Sequence, residues 1–339
     1  MASEREIARR QARAVAESFG LGTPTQELAP VSFRSSQTWR LVTRDGSALI
    51  KHVAAEDWLD DFARAMDFEQ LALSVGISMA RPIPPLVEPM NHDNGPARKR
   101  LGFAAAIEGI GWVRAYDWVD GEPLGDGDDV AAWLGETLAR LHQLTPTADA
   151  SRPPDWYRMD RPEMWHGWLN DGQRDGRSWA ALLRLHMTDV LEAAGWVARS
   201  FTAAGDYVVT HRDVEPWNVM MTGGGPVLID WDVAGADSAS LEAAHATLEF
   251  SRRGRTAPDP AAVRRTFEAY VGAGGTPFGG PDVLARRAGL RLGRLAERLR
   301  MSLGDQDLGP RELAAVERRA AEQIAEMPAF LAALRNYRL

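Results

Sequence analysis

The chain has 339 residues, 45% of them hydrophobic and 25% charged, with a formal charge of −8 and a pI near 5.5. An acidic balance argues against nucleic acid as the main partner, since binding it takes a basic face. The absence of cysteine excludes disulfides, thiolate zinc sites and a cysteine nucleophile, in keeping with a reducing cytoplasmic location, and no apolar run approaches the roughly 18–20 residues of a membrane span.

Residues 2–19 mix Glu4, Glu6 and Glu17 with arginines and predict an amphipathic helix rather than a secretory signal. Strands are expected near 28–33, 38–43 and 47–53. The third, Ser47 to Val53, is entered through the turn Arg44-Asp45-Gly46. It carries Lys51, one of two lysines (with Lys99) among 39 basic residues. Where arginine serves almost everywhere, a lysine invites a reason. Residues 57–75 follow with helical spacing of Leu59, Phe62, Ala63, Met66 and Leu71, closed by Gly76. Prolines at 82, 84, 85, 89 and 96 make residues 80–100 mostly loop. After two more strands, the first lobe is expected to end near Tyr116 and the remainder to be mainly helical. The predicted helices cover 129–144, 179–203, 240–252, 260–271, 281–303 and 310–337.

Residues 209–232 carry the densest chemistry. His211, Asp213 and Asn218 have the spacing H-x-D-x-x-x-x-N, and an apolar run then ends in Asp230. Transfer of a phosphoryl group to a hydroxyl needs a carboxylate to orient that hydroxyl and accept its proton, a role open to Asp213. It also needs oxygen ligands for the Mg²⁺ that offsets phosphate charge, which suits Asn218 and Asp230. Val219-Met220-Met221 and Val227-Leu228-Ile229 flank Thr222-Gly223-Gly224-Gly225-Pro226 and read as a hairpin with Asp230 at its mouth. A strand lysine such as Lys51 is a compact point charge suited to the α- and β-phosphates. Glu69, between Phe68 and Leu71 on the helix of residues 57–75, is preferred as its partner, with Glu56, Asp57, Asp60, Asp61 and Asp67 as competitors.

With these segments, Leu138-Ala139-Arg140-Leu141-His142-Gln143-Leu144 and the stretch from Trp112 to Leu124, the chain resembles the aminoglycoside phosphotransferase and choline kinase superfamily of small-molecule kinases. The resemblance implies an α+β, bilobal protein-kinase-like fold. Residues 1–117 would form an antiparallel-sheet, nucleotide-binding N-lobe, and 118–339 a mainly helical C-lobe with the catalytic loop and acceptor site. It implies ATP or GTP with Mg²⁺, the linker residues Asp117 and Val119 near the nucleotide, and a phosphate-covering loop at residues 31–41. That loop holds no glycine, so the Ser35 and Ser36 hydroxyls are expected to contribute. Arg212 follows the motif histidine where small-molecule kinases usually have glycine. Asp230-Trp231-Asp232 stands where protein kinases have Asp-Phe-Gly, and no Ala-Pro-Glu follows.

The implied reaction moves a γ-phosphate to a hydroxyl of a small, cationic molecule: an aminoglycoside-like antibiotic (a resistance function) or a natural-product intermediate. The alternatives are a metabolite kinase acting on an amino alcohol, sugar or homoserine, and a nucleotide-binding pseudokinase. Candidate acceptor contacts are Glu215 and Trp217 in the catalytic loop, Asp232, Glu242 on the following helix, and Trp165 and Trp168 in an acidic, tryptophan-rich segment; aromatic faces beside carboxylates suit an amine. The partner expected is the small-molecule acceptor alone, with no nucleic acid and no membrane, for a monomer or homodimer.

Overall fold

The computed structural model describes residues 4–33, 37–53, 59–86, 103–145, 147–149, 153–255 and 257–337. They pack as two compact units: one of Met1–Asp128 with Asp213–Gly235, the other of Asp129–Arg212 with Ala236–Leu339. A single cut after residue 117 orders the chain differently, because 213–235 packs with the N-terminal unit rather than with its neighbours in sequence.

In the first unit, α1 (Glu4–Phe19) buries Ala12, Val15, Ala16 and Phe19, one stripe at helical spacing. The stripe packs against Leu41, Ile50, Val113 and Ala115 of an antiparallel sheet. That sheet runs β1 (Ala29–Phe33), β2 (Gln37–Val42), β3 (Ser47–His52), β6 (Gly111–Asp117) and β4 (Pro82–Ile83), with β5 (Ala105–Ile107) also on β6. The helix α2 (Leu59–Ser74) follows β3. Val113 and Ala115 serve the α1 core, so by strand alternation Arg114 and Tyr116 point the other way.

The segment 213–235 joins this unit through main-chain bonds. β9 (Val219–Thr222) and β10 (Gly225–Leu228) form the expected hairpin, and β7 (Glu122–Pro123) pairs with β9. A Cβ on Gly121 would lie 2.5 Å from the Met221 carbonyl oxygen, so this approach requires glycine. The Leu228 amide donates to Ser78 O at 2.9 Å and the Ile229 amide to Asn218 O at 2.9 Å. Asp230 is left with φ 68°, a left-handed conformation that aspartate tolerates.

The second unit is helical: α3 (Ala131–Leu144), α4 (Pro162–Arg174), α5 (Ala180–Leu185), α6 (Met187–Ala204), α7 (Ala239–Ser251), α8 (Pro260–Gly272), α9 (Ala285–Arg300), α10 (Pro310–Ala325) and α11 (Met327–Asn336), with β8 (Tyr207–Thr210) and β11 (Gly235–Ser238) as a two-stranded ribbon. Its core gathers Trp165, Trp179, Leu183, Val190, Val197, Leu241, Leu292 and Leu295. Three expected helices are shorter or divided. The 179–203 helix breaks at His186, the 281–303 helix opens with a 3₁₀ turn at Pro281–Leu284, and the 310–337 helix restarts at Met327 beside Pro328. α4 lay outside the predicted helices, although Pro162 at its first turn is a helix-start signal. No helix among the described residues is long and apolar enough to cross a membrane.

Candidate active site

The first unit carries Lys51, Asp213, Asn218, Asp230 and Asp232 together. Pro216–Asn218 forms a 3₁₀ turn whose last amide donates to Glu215 O at 2.9 Å. Asn218, 4% exposed, donates from Nδ2 to Asp213 Oδ2 at 2.7 Å and to Asp213 O at 2.9 Å. Asp213 is thereby oriented by a neutral donor. Lys51, on the central strand β3, is 6% exposed. Its Nζ lies 2.6 Å from Asp230 Oδ1 and 2.6 Å from Asp232 Oδ2. Burial works against the ammonium, but Asp232 and Asp230 outweigh it and hold the Lys51 pKa above its ordinary value.

The expected Lys51–Glu69 pair is replaced by another. Glu69, fully buried on α2, accepts from Arg114 Nη2, and Arg114 also donates to the Tyr116 hydroxyl. Arg114 Nη1 is 3.9 Å from Asp232 Oδ1. A guanidinium presents donors on separate nitrogens in a fixed fork, so Nη2 serves Glu69 while Nη1 serves Tyr116. Burial pushes the Glu69 carboxyl above its usual range, and Arg114 pulls it back only in part. Sequence reasoning passed over Arg114. The available signal was a charged residue set among Trp112, Val113, Ala115 and Tyr116 in the interior of a strand.

The donor set fits a hard divalent cation. Asp230 retains side-chain exposure of 40% and follows Ile229, whose amide bonds Asn218 O. Among the described residues no group of three or more His, Cys, Asp or Glu side chains forms a metal cage. A pair of protein oxygen ligands completed by phosphates and water is the usual arrangement for Mg²⁺.

Other candidates fall in different surroundings. Asp117 is exposed at the end of β6 with its amide on Arg81 O at 2.8 Å, and Val119 is half-buried in the linker. Glu215 is buried and Trp217 is 60% exposed in the same turn region. Ser35 and Ser36, like Lys99, lie outside the described residues. In the second unit Trp165 is fully buried, donates to Met159 O at 2.7 Å and meets Trp168 edge-on at 5.1 Å. It is a core residue rather than an open acceptor contact. Glu242, 1% exposed, accepts from Thr210 Oγ1 at 2.5 Å and bonds His142 Nε2 at 2.9 Å, so the carboxylate expected to meet an acceptor is enclosed in a polar network of its own unit. At Arg212 the backbone is left-handed, φ 66°, which accounts for glycine suiting this place. Here the side chain donates from Nε to Ala236 O at 3.0 Å, and Arg286 donates to the Arg212 carbonyl.

A profile of the phosphotransferase enzyme family matches residues 27–290. The chain belongs to that family. It is therefore a small-molecule phosphotransferase, with the protein-kinase-like architecture that the sequence resembles. Among solved structures, a spectinomycin phosphotransferase in complex with ADP and spectinomycin superimposes with a TM-score of 0.64 at 13% identity, over 95% of this chain and 98% of the other. A choline/ethanolamine kinase family protein from Mesorhizobium loti gives 0.58 at 17% identity, over 96% and 97%. In sequence, the trifolitoxin immunity protein of Rhizobium leguminosarum bv. trifolii is 44% identical over 52 residues, a match spanning 15% of this chain and 20% of that protein.

Proposed function

We propose that this phosphotransferase moves the γ-phosphoryl group of ATP or GTP to a hydroxyl of a small, amine-bearing acceptor, an aminoglycoside-like antibiotic or a related natural-product intermediate. The observation that carries the reading is the cluster of Lys51, Asp230 and Asp232 in the unit that also holds the Asn218-oriented Asp213. Asp213 accepts the hydroxyl proton as the acceptor oxygen bonds to the γ-phosphorus. The bond to the β,γ-bridging oxygen breaks and the nucleoside diphosphate leaves. Lys51 meets the α- and β-phosphates, exchanging a carboxylate partner for phosphate oxygens. Asn218 and Asp230 would hold Mg²⁺, which offsets the phosphate charge when bound. Asp117 and Val119 offer main-chain groups to the base, and the acceptor contacts are Glu215 and Trp217, close after Asp213 in the catalytic loop, with Asp232.

The spectinomycin enzyme supports an antibiotic acceptor, and the choline/ethanolamine kinase family member a metabolite such as an amino alcohol. An acceptor panel covering aminoglycosides, amino alcohols and sugars, assayed by nucleoside-diphosphate release with ATP and with GTP, separates the two. Turnover on an aminocyclitol or aminoglycoside is expected. Turnover confined to amino alcohols assigns the enzyme to metabolism, and nucleotide binding with no turnover on any acceptor overturns the reading.

A further inference from the structure

Lys51 and Arg114 are directly opposed in the antiparallel pairing of β3 with β6, so two buried cations share one face of the sheet. Like charges in that position repel across about 5 Å. Three carboxylates answer them: Glu69 on Arg114, Asp230 on Lys51, and Asp232 between the two. Asp232 Oδ2 accepts from Lys51 at 2.6 Å, while its buried Oδ1 lies 3.9 Å from Arg114 and accepts no hydrogen bond among the described residues. The order of contacts is Glu69, Arg114, Asp232, Lys51, Asp230.

We propose that Arg114 is a positioning residue for the nucleotide site: it takes the α2 glutamate and, through Asp232, sets where the Lys51 ammonium stands. The helix then acts on Lys51 through two intermediaries rather than by direct contact. With Arg114 in place, Asp232 is shared and Lys51 can turn towards phosphate oxygens. Without it, Glu69 and Asp232 are left with a single neighbouring cation and compete with the phosphates for Lys51. A buried carboxylate stripped of its partner is costly, so the competition is strong.

This inference rests on the nucleotide reading above, and the test keeps the two apart. Dissociation constants for Mg²⁺-ATP and Mg²⁺-GTP, and for ADP without metal, are measured by calorimetry on the full chain, with melting temperatures alongside. Arg114→Gln is expected to weaken the bound nucleotide about tenfold or more, and Glu69→Gln alone less than about threefold, since Arg114 still holds Asp232. In the Arg114→Gln background, Glu69→Gln should reverse sign and recover part of the affinity, because it removes the stranded carboxylate. An Arg114→Gln protein with a lower melting temperature but unchanged affinity overturns the proposal, as does a Glu69→Gln loss of equal size in both backgrounds. Should Arg114→Gln not fold, Arg114→Lys is read instead: its donors all sit on one nitrogen and cannot reach Glu69, Tyr116 and Asp232 from separate points as the guanidinium fork does, so a loss of about threefold is expected and parental affinity overturns the proposal. A parent protein that binds neither nucleotide removes the nucleotide reading itself, and this inference with it.

Discussion

At the scale of single residues, two oxygen-bearing side chains have separable tasks. Asp213 sits on the Asn218 amide, while the Lys51 ammonium is taken by Asp230 and Asp232. Replacing it with asparagine removes the proton acceptor and leaves the Lys51 cluster in place. Asp213→Asn should therefore keep nucleotide affinity while turnover falls at least about a hundredfold; rates near the parent's would remove Asp213 from the mechanism. Asp230 touches Lys51 and keeps open surface, so its loss should act on binding. Asp230→Ala is expected to abolish most of the gain in nucleotide affinity that Mg²⁺ brings, read as the ratio of dissociation constants with and without the metal. An unchanged ratio would place the cation elsewhere.

At the scale of elements, close approach decides what a helix surface tolerates. Gly135 on α3 faces α8, where a Cβ would stand 2.3 Å from Thr266 O and 2.7 Å from Tyr270 N. Both neighbours are main chain and cannot swing aside. Alanine normally favours a helix over glycine by about 1 kcal/mol, but overpacking at a backbone contact costs about 1–3 kcal/mol and should win. Gly135→Ala is expected to lower stability by up to about 2 kcal/mol net, measured by urea denaturation, whereas a stabilised variant would show that α3 and α8 can part at little cost. The same reasoning explains α2: its amphipathic spacing specifies a helix, while the partner of Glu69 depends on which strand residue lies opposite.

At the scale of the whole molecule, acid stability has an identifiable contributor. Burial alone would raise the Glu242 carboxyl, but the His142 hydrogen bond, Arg286 and the Thr210 hydroxyl bring it to about 2 from an ordinary 4.5. A carboxyl depressed by folding stabilises fully above its unfolded value and loses that contribution as pH falls through the folded one. The window here is from about 4.5 down to about 2, and the contribution is of order 3 kcal/mol. Glu242→Gln should lower stability near neutral pH and flatten its decline across that window, followed by denaturant titrations at several pH values; a variant whose decline parallels the parent's would assign acid sensitivity to other groups.

Local pattern accounts for much of this protein. The H-x-D-x-x-x-x-N spacing, the paired apolar runs around Gly223-Gly224 and the strand that carries Lys51 are each specified by residues a few positions apart, and short-range geometry obliges them to form the turn, the hairpin and the strand. The amphipathic stripe of α1 and most helices of the second unit were legible for the same reason. Tertiary packing settled the rest. Whether Glu69 met Lys51 or Arg114 depended on the β3–β6 register, which pairs residues 63 positions apart in the chain, 51 with 114. Segment 213–235 joined the N-terminal unit because β9 found β7 and Leu228 found Ser78. Trp165 and Glu242, readable as acceptor contacts from their types alone, were enclosed because burial is set by which elements cover a side chain, and periodicity within one element carries no record of that.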